Sequence, residues 1–92
     1  MIQEGIRDFV ISPHAFFEMA RRGLDEELIC QILKAPDQRY ELRTGRVVVQ
    51  SCVPMGKLEK AYLIRVFVDV ERTPAEVVTA YRTSKIEKYW RE

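Results

Sequence analysis

Ala61-Tyr62-Leu63-Ile64-Arg65-Val66-Phe67-Val68-Asp69-Val70 is the stretch on which the architecture turns. Side chains alternate across a strand. One face therefore carries Tyr62, Ile64, Val66, Val68 and Val70, and the other Ala61, Leu63, Arg65, Phe67 and Asp69. The alternation makes Ala61 to Val70 the longest strand candidate of the chain. Arg65 interrupts its less apolar face. It is either satisfied by Asp69, four residues on, or directed at a ligand.

Working outward, the same period recurs on both flanks. Tyr40 to Arg43, a Thr44-Gly45 turn and Arg46 to Val53 read as a hairpin. Pro54-Met55-Gly56-Lys57 supplies the next turn. Thr73-Pro74 breaks the long strand, and Glu76 to Arg82 forms a last one. Within it Thr79 and Tyr81 share one face, while Val78 and Ala80 point to the other. Ser84-x-x-Glu87 has the spacing of a capping box that opens a short helix through Trp90.

The first third changes period. Asp8 to Ile11 suits a short strand. Ser12-Pro13 then combines a capping serine with a proline in the first helical turn. Gly23 is a stop, and Asp25 restarts the chain with Glu26 and Glu27 where the helix dipole favours negative charge. Leu24, Leu28, Ile29, Ile32 and Leu33 recur at helical spacing until Pro36. The predicted order is (β)ααββββα. The fold class is α+β: an N-terminal αα-hairpin packed on a mostly antiparallel four- to five-stranded sheet, with a short C-terminal helix.

Composition bounds the function. The 92 residues suit one domain, residues 1–92, with one modest core. The longest uncharged run, Val47 to Gly56, is half of the roughly 20 residues that cross a bilayer. With no secretory signal pattern, a cytoplasmic protein with no membrane association is expected. Cys30 and Cys52 lack metal-site spacing, and one histidine cannot build a multi-histidine site. Both cysteines read as reduced, buried thiols. No metal and no cofactor is expected.

The net charge of +1 conceals an uneven distribution of ten arginines and five lysines. On a helical wheel Ala15, Phe16, Phe17, Met19 and Ala20 form a broad apolar arc. His14, Glu18, Arg21 and Arg22 fill the remaining stripe. His14–Glu18 and Glu18–Arg22 are i,i+4 neighbours. The stripe is either an acid/base histidine held by Glu18 with Arg22 nearby, or a solvated ion-pair face. Thr79 and Tyr81 suit phosphate binding or proton transfer, and equally suit a strand for its own sake. The tail from Arg82 to Glu92 interleaves Tyr89 and Trp90 with basic residues. That pattern fits single-stranded nucleic acid or a terminal helix docked on its own sheet.

Ser12-Pro13-His14-Ala15, Met19, Arg22-Gly23-Leu24 and Thr79-Ala80-Tyr81-Arg82 together resemble a widespread bacterial family of unknown function. Its marks are an S/T-x-H-A…R-M-x-x-R-G-[IL] helix and a terminal T-x-Y strand. That pattern is similar in turn to ribonuclease toxins of the RelE/ParE and barnase–EndoU–colicin type. The resemblance implies a RelE-like domain and metal-independent RNA cleavage through attack of the ribose 2′-hydroxyl. It implies catalytic roles for His14, Arg22, Thr79 and Tyr81. Strand position adds Arg65 and Arg82 as substrate-binding residues. RNA and an antitoxin protein are the implied partners. The chain departs from the pattern at Glu18, where arginine is more usual; this carboxylate either repels RNA or tunes His14. The other reading is a non-catalytic interaction module or homodimer that retains the fold.

Overall fold

The computed structural model describes residues 5–92. Strand β1 (Phe9–Ile11) leads into α1 (Pro13–Arg21) and α2 (Glu26–Lys34), followed by β2 (Gln38–Arg43), β3 (Arg46–Met55), β4 (Lys60–Asp69), β5 (Ala75–Thr83) and a single turn, α3 (Ile86–Tyr89). The five strands form one sheet in the order β1-β5-β4-β3-β2. The architecture is α+β, and the sheet is mixed. Strands β2 to β5 pair antiparallel, but β1 joins β5 in parallel through Phe9–Ala75 and Ile11–Val77. Parallel pairing follows from a connection that climbs through two helices and three strands before β5 returns beside β1.

Local chemistry explains the helix ends. The Ser12 hydroxyl accepts a hydrogen bond from the Ala15 amide at 3.0 Å, and the Asp25 carboxylate accepts from the Leu28 amide at 2.7 Å. Each satisfies an amide donor that the first helical turn leaves without a partner. Gly23, at φ +70°, takes the left-handed conformation that closes α1. The expected capping box at Ser84 is absent. Lys85 occupies the cap of α3 with no side-chain bond to it, and the Thr83 hydroxyl accepts from the Lys85 amide at 3.0 Å.

The core lies between the helices and one face of the sheet. Met19, Leu24, Ile29, Ile32 and Leu33 meet Val47, Val49, Ile64, Val66 and Val68 there. The apolar face of β4 is buried as its pattern suggests, but Leu63 and Arg65 on the other face are buried as well. Each apolar side chain of the core contributes roughly 1.5–3 kcal/mol on full burial. Helix α1 packs mainly on β5 and α2 on β3, so the expected hairpin of paired helices is not what organises this layer. The expected apolar arc of α1 is also too broad. Ala15 and Met19 are buried, whereas Phe16 is 45% and Phe17 64% exposed. A helix resting near one edge of the sheet covers only the stripe beneath it. Cys30 is half-buried and Cys52 exposed, correcting the expectation of two buried thiols.

One irregularity re-aims β5. Phe67 pairs with Thr79 but Val68 pairs with Val77, so Val78 is an extra residue in the ladder. Val77 and Ala80 reach the core in place of the expected Val78 and Ala80. Thr79 and Tyr81 remain on the opposite face. Beyond Ile11, β1 ends, and among the described residues no strand pairs with the outer edge of β5 along Val78 to Thr83.

Candidate functional site

Helix α1 ends where the edge of β5 opens, and Arg22 bridges the two. Its Nη1 donates to the Ala80 carbonyl at 2.7 Å and approaches Thr79 Oγ1 at 3.5 Å. Its Nη2 lies 2.9 Å from Glu18 Oε2, and Arg21 pairs with the same carboxylate oxygen. The hydrogen bond from Arg21, with the charges of Arg21, Arg22 and His14, holds the Glu18 carboxyl below its ordinary range. Glu18 is thus a fixed anion that aligns two guanidinium groups.

Arg21, Arg22, Tyr81 and Arg82 line one open concavity of about 460 Å³ at this corner. Successive strand residues point to opposite faces. Tyr81 and Arg82 can line one depression because it wraps around the open edge of β5. Three guanidinium groups beside a phenol suit a phosphate or carboxylate, since each guanidinium presents a planar fork of donors. Arg21 was missed in the sequence as a site residue. Only its place one residue before Arg22, on the polar stripe, pointed to it.

His14 lies elsewhere. It is exposed in the first turn of α1, eight residues from Arg22, a helical rise of about 12 Å. It does not line the concavity. The structure therefore gathers Arg22, Thr79, Tyr81 and Arg82 and leaves His14 apart, linked to them through Glu18.

Arg65 has neither of its two expected fates. Asp69 pairs instead with Arg46, whose Nε lies 2.6 Å from Asp69 Oδ1. Arg65 is only 6% exposed. Its Nε donates to Gln50 Oε1 at 2.9 Å, Nη1 to the Tyr81 hydroxyl at 2.8 Å, and Nη2 to the Tyr40 hydroxyl. Among the described residues these acceptors are all neutral. The rings of Tyr89, Phe67 and Tyr81 supply further electrostatic relief, with centroids 4.3, 5.3 and 5.8 Å from the guanidinium. Arg65 thus acts on Tyr81 from within the protein rather than reaching a substrate. Gln50 and Tyr40 carry no sign of this contact in the sequence, and Tyr89 enters it only as one of the two aromatics of the basic tail. The strand register opposes Gln50 to Arg65 and Arg65 to Tyr81, while Tyr40 and Tyr89 reach the guanidinium from β2 and α3.

The C-terminal segment closes this second face. Gln50 Nε2 donates to the Tyr89 carbonyl at 3.1 Å, the Arg91 amide donates to Gln38 Oε1 at 3.0 Å, and the Arg91 guanidinium lies 3.9 Å from the Tyr40 ring centroid. Of the two readings of the tail, docking on its own sheet describes the structure. A hydrogen bond from Tyr81 holds the Tyr89 hydroxyl below the usual phenol range, with Lys88 and Arg65 acting in the same direction. Arg65, Tyr81 and Tyr89 therefore form one polar chain beneath the basic concavity.

An α+β domain with a basic corner at a sheet edge is the class these observations define. The chain belongs to the family described as domain of unknown function DUF4258, whose model matches residues 11–82. No curated protein and no solved structure matches it.

Proposed function

We propose that this domain binds RNA at the Arg21–Arg22–Tyr81–Arg82 concavity and cleaves it without a metal, as a small endoribonuclease of the RelE-like toxin type. The observation that carries the reading is that three arginines and Tyr81 line one open depression. In the reaction the ribose 2′-oxygen attacks the adjacent phosphorus, and its proton passes to solvent. The bond from phosphorus to the 5′-oxygen breaks, leaving a 2′,3′-cyclic phosphate. Arg22 and Arg82 offset the charge that builds on the phosphoryl oxygens. The Tyr81 hydroxyl protonates the departing 5′-oxygen, and Arg65, already bonded to that hydroxyl, stabilises the phenolate left behind. Thr79 orients Arg22.

Incubation of single-stranded RNA with wild type, Arg22→Ala, Tyr81→Phe and His14→Ala in excess chelator tests this. Wild type and His14→Ala should yield cyclic-phosphate ends. Arg22→Ala and Tyr81→Phe should lose roughly a hundredfold or more in rate. No cleavage by wild type, or unchanged cleavage by both site variants, overturns the reading.

A second reading has its own support. Glu18 already pairs with Arg21 and Arg22, and Phe16 and Phe17 stand exposed on the same helix. These features suit a non-catalytic module that meets a protein partner, an antitoxin or a second copy, through α1. A stable complex or dimer from a chain that cleaves no RNA would favour it.

A further inference from the structure

The basic concavity has an aromatic neighbour that the reading above does not use. Tyr62 lies on the helix-facing side of β4, two residues before Ile64. Ile64 is fully buried whereas Tyr62 is half-buried, so the cover of the helices runs out between them. Arg82 stands opposite Ile64 in the ladder, which makes it the diagonal neighbour of Tyr62 on this face. Its guanidinium lies 5.0 Å from the Tyr62 ring centroid, and Lys60 Nζ lies 5.6 Å from the same centroid.

We propose that Tyr62 is a base-stacking platform for a single-stranded RNA whose phosphate occupies the Arg21–Arg22–Arg82 concavity, with Arg82 shared between the two subsites. The proposal rests on the RNA reading above and adds a residue and a substrate class to it. A cation beside a half-exposed ring reproduces the two halves of one nucleotide. The phosphate meets guanidinium groups and the base meets an aromatic face. Lys60, exposed and on a flexible stem, is readily displaced from the ring it now covers. Every base presents a π-face, so the subsite favours unpaired strands over duplexes without demanding a particular sequence.

Fluorescence anisotropy with two probes tests it at low salt: a short labelled single-stranded RNA, and a ribose-phosphate chain of equal length without bases. Tyr62→Leu should bind the RNA at least about fivefold more weakly than wild type, yet bind the abasic chain equally well. Tyr62→Phe should match wild type on both. Tyr62→Thr, a residue at ease in a half-exposed strand, repeats the test if the leucine variant does not fold. Wild-type RNA affinity in both truncated variants, with affinity lost in Arg22→Ala, overturns the platform and leaves the phosphate site standing. Equal losses on both probes also overturn it, because stacking cannot act on a chain without bases. Failure of wild type to bind either probe overturns the RNA reading and this one together.

Discussion

Arg65 Nη1 donates to the Tyr81 hydroxyl at 2.8 Å, so the most buried cation of the sheet holds a tyrosine that also lines the basic concavity. The bond joins two regions with different environments. On one side are buried Gln50 and half-buried Tyr40 and Tyr89, and on the other an open depression. Any change at Arg65 should therefore register in both stability and function.

Arg65→Met should lower unfolding free energy by about 2–4 kcal/mol in urea titration. It leaves buried Gln50 Oε1 and the half-buried Tyr40 and Tyr81 hydroxyls without their donor. Arg65→Lys should recover only part, because one ammonium cannot reproduce the fork that reaches three acceptors.

Asp25→Ala should cost about 1 kcal/mol through loss of the bond to the Leu28 amide. Asp25→Asn should retain most of it. Thermal unfolding followed by circular dichroism distinguishes the two.

The Arg46–Asp69 pair sets an acid dependence. A hydrogen bond from Arg46 lowers the Asp69 pKa in the folded state. Its stabilisation is therefore present above the unfolded aspartate value of about 3.9. It fades as pH falls from there through the lower folded value. Asp69→Asn should flatten the acid limb of the stability profile in that window and be nearly silent in slope above pH 6. An unchanged acid limb would show that the pair contributes nothing.

RNA affinity should fall with salt according to the number of phosphates neutralised. For single strands the logarithmic slope changes by about 0.7 per contact. Arg82→Ala and Arg22→Ala should each make the slope shallower by about that amount, whereas Arg72→Ala, exposed and paired with Glu76 away from the concavity, should not.

What could be read in the sequence was local. Ser12 and Asp25 announce their helices through side-chain chemistry acting over three residues, and the alternation of β4 marks the face that meets the helices, though not the burial of Leu63 and Arg65 behind it. Longer-range features were less accessible. The breadth of the apolar arc on α1 suggested a buried helix, but burial depends on how far the sheet extends beneath it. The parallel entry of β1 and the extra residue at Val78 depend on pairing between distant segments. The site followed the same division. Arg22, Thr79 and Tyr81 each carried a local sign, but the approach of Arg22 to Thr79, 57 residues away, emerges only from the fold. Gln50 and Tyr40, which also accept from Arg65, carried no sign beyond ordinary strand positions.

The brevity of β1 has a further consequence. Its three residues leave β5 with a rim that no described strand pairs, and Arg22 seals the Ala80 carbonyl within it. A guanidinium there obstructs the approach of another chain's backbone. The residue placed at the proposed RNA site is thus also the one that guards this rim. A chain that exchanged Arg22 for a small apolar residue would risk concentration-dependent polymerisation even if its core were untouched.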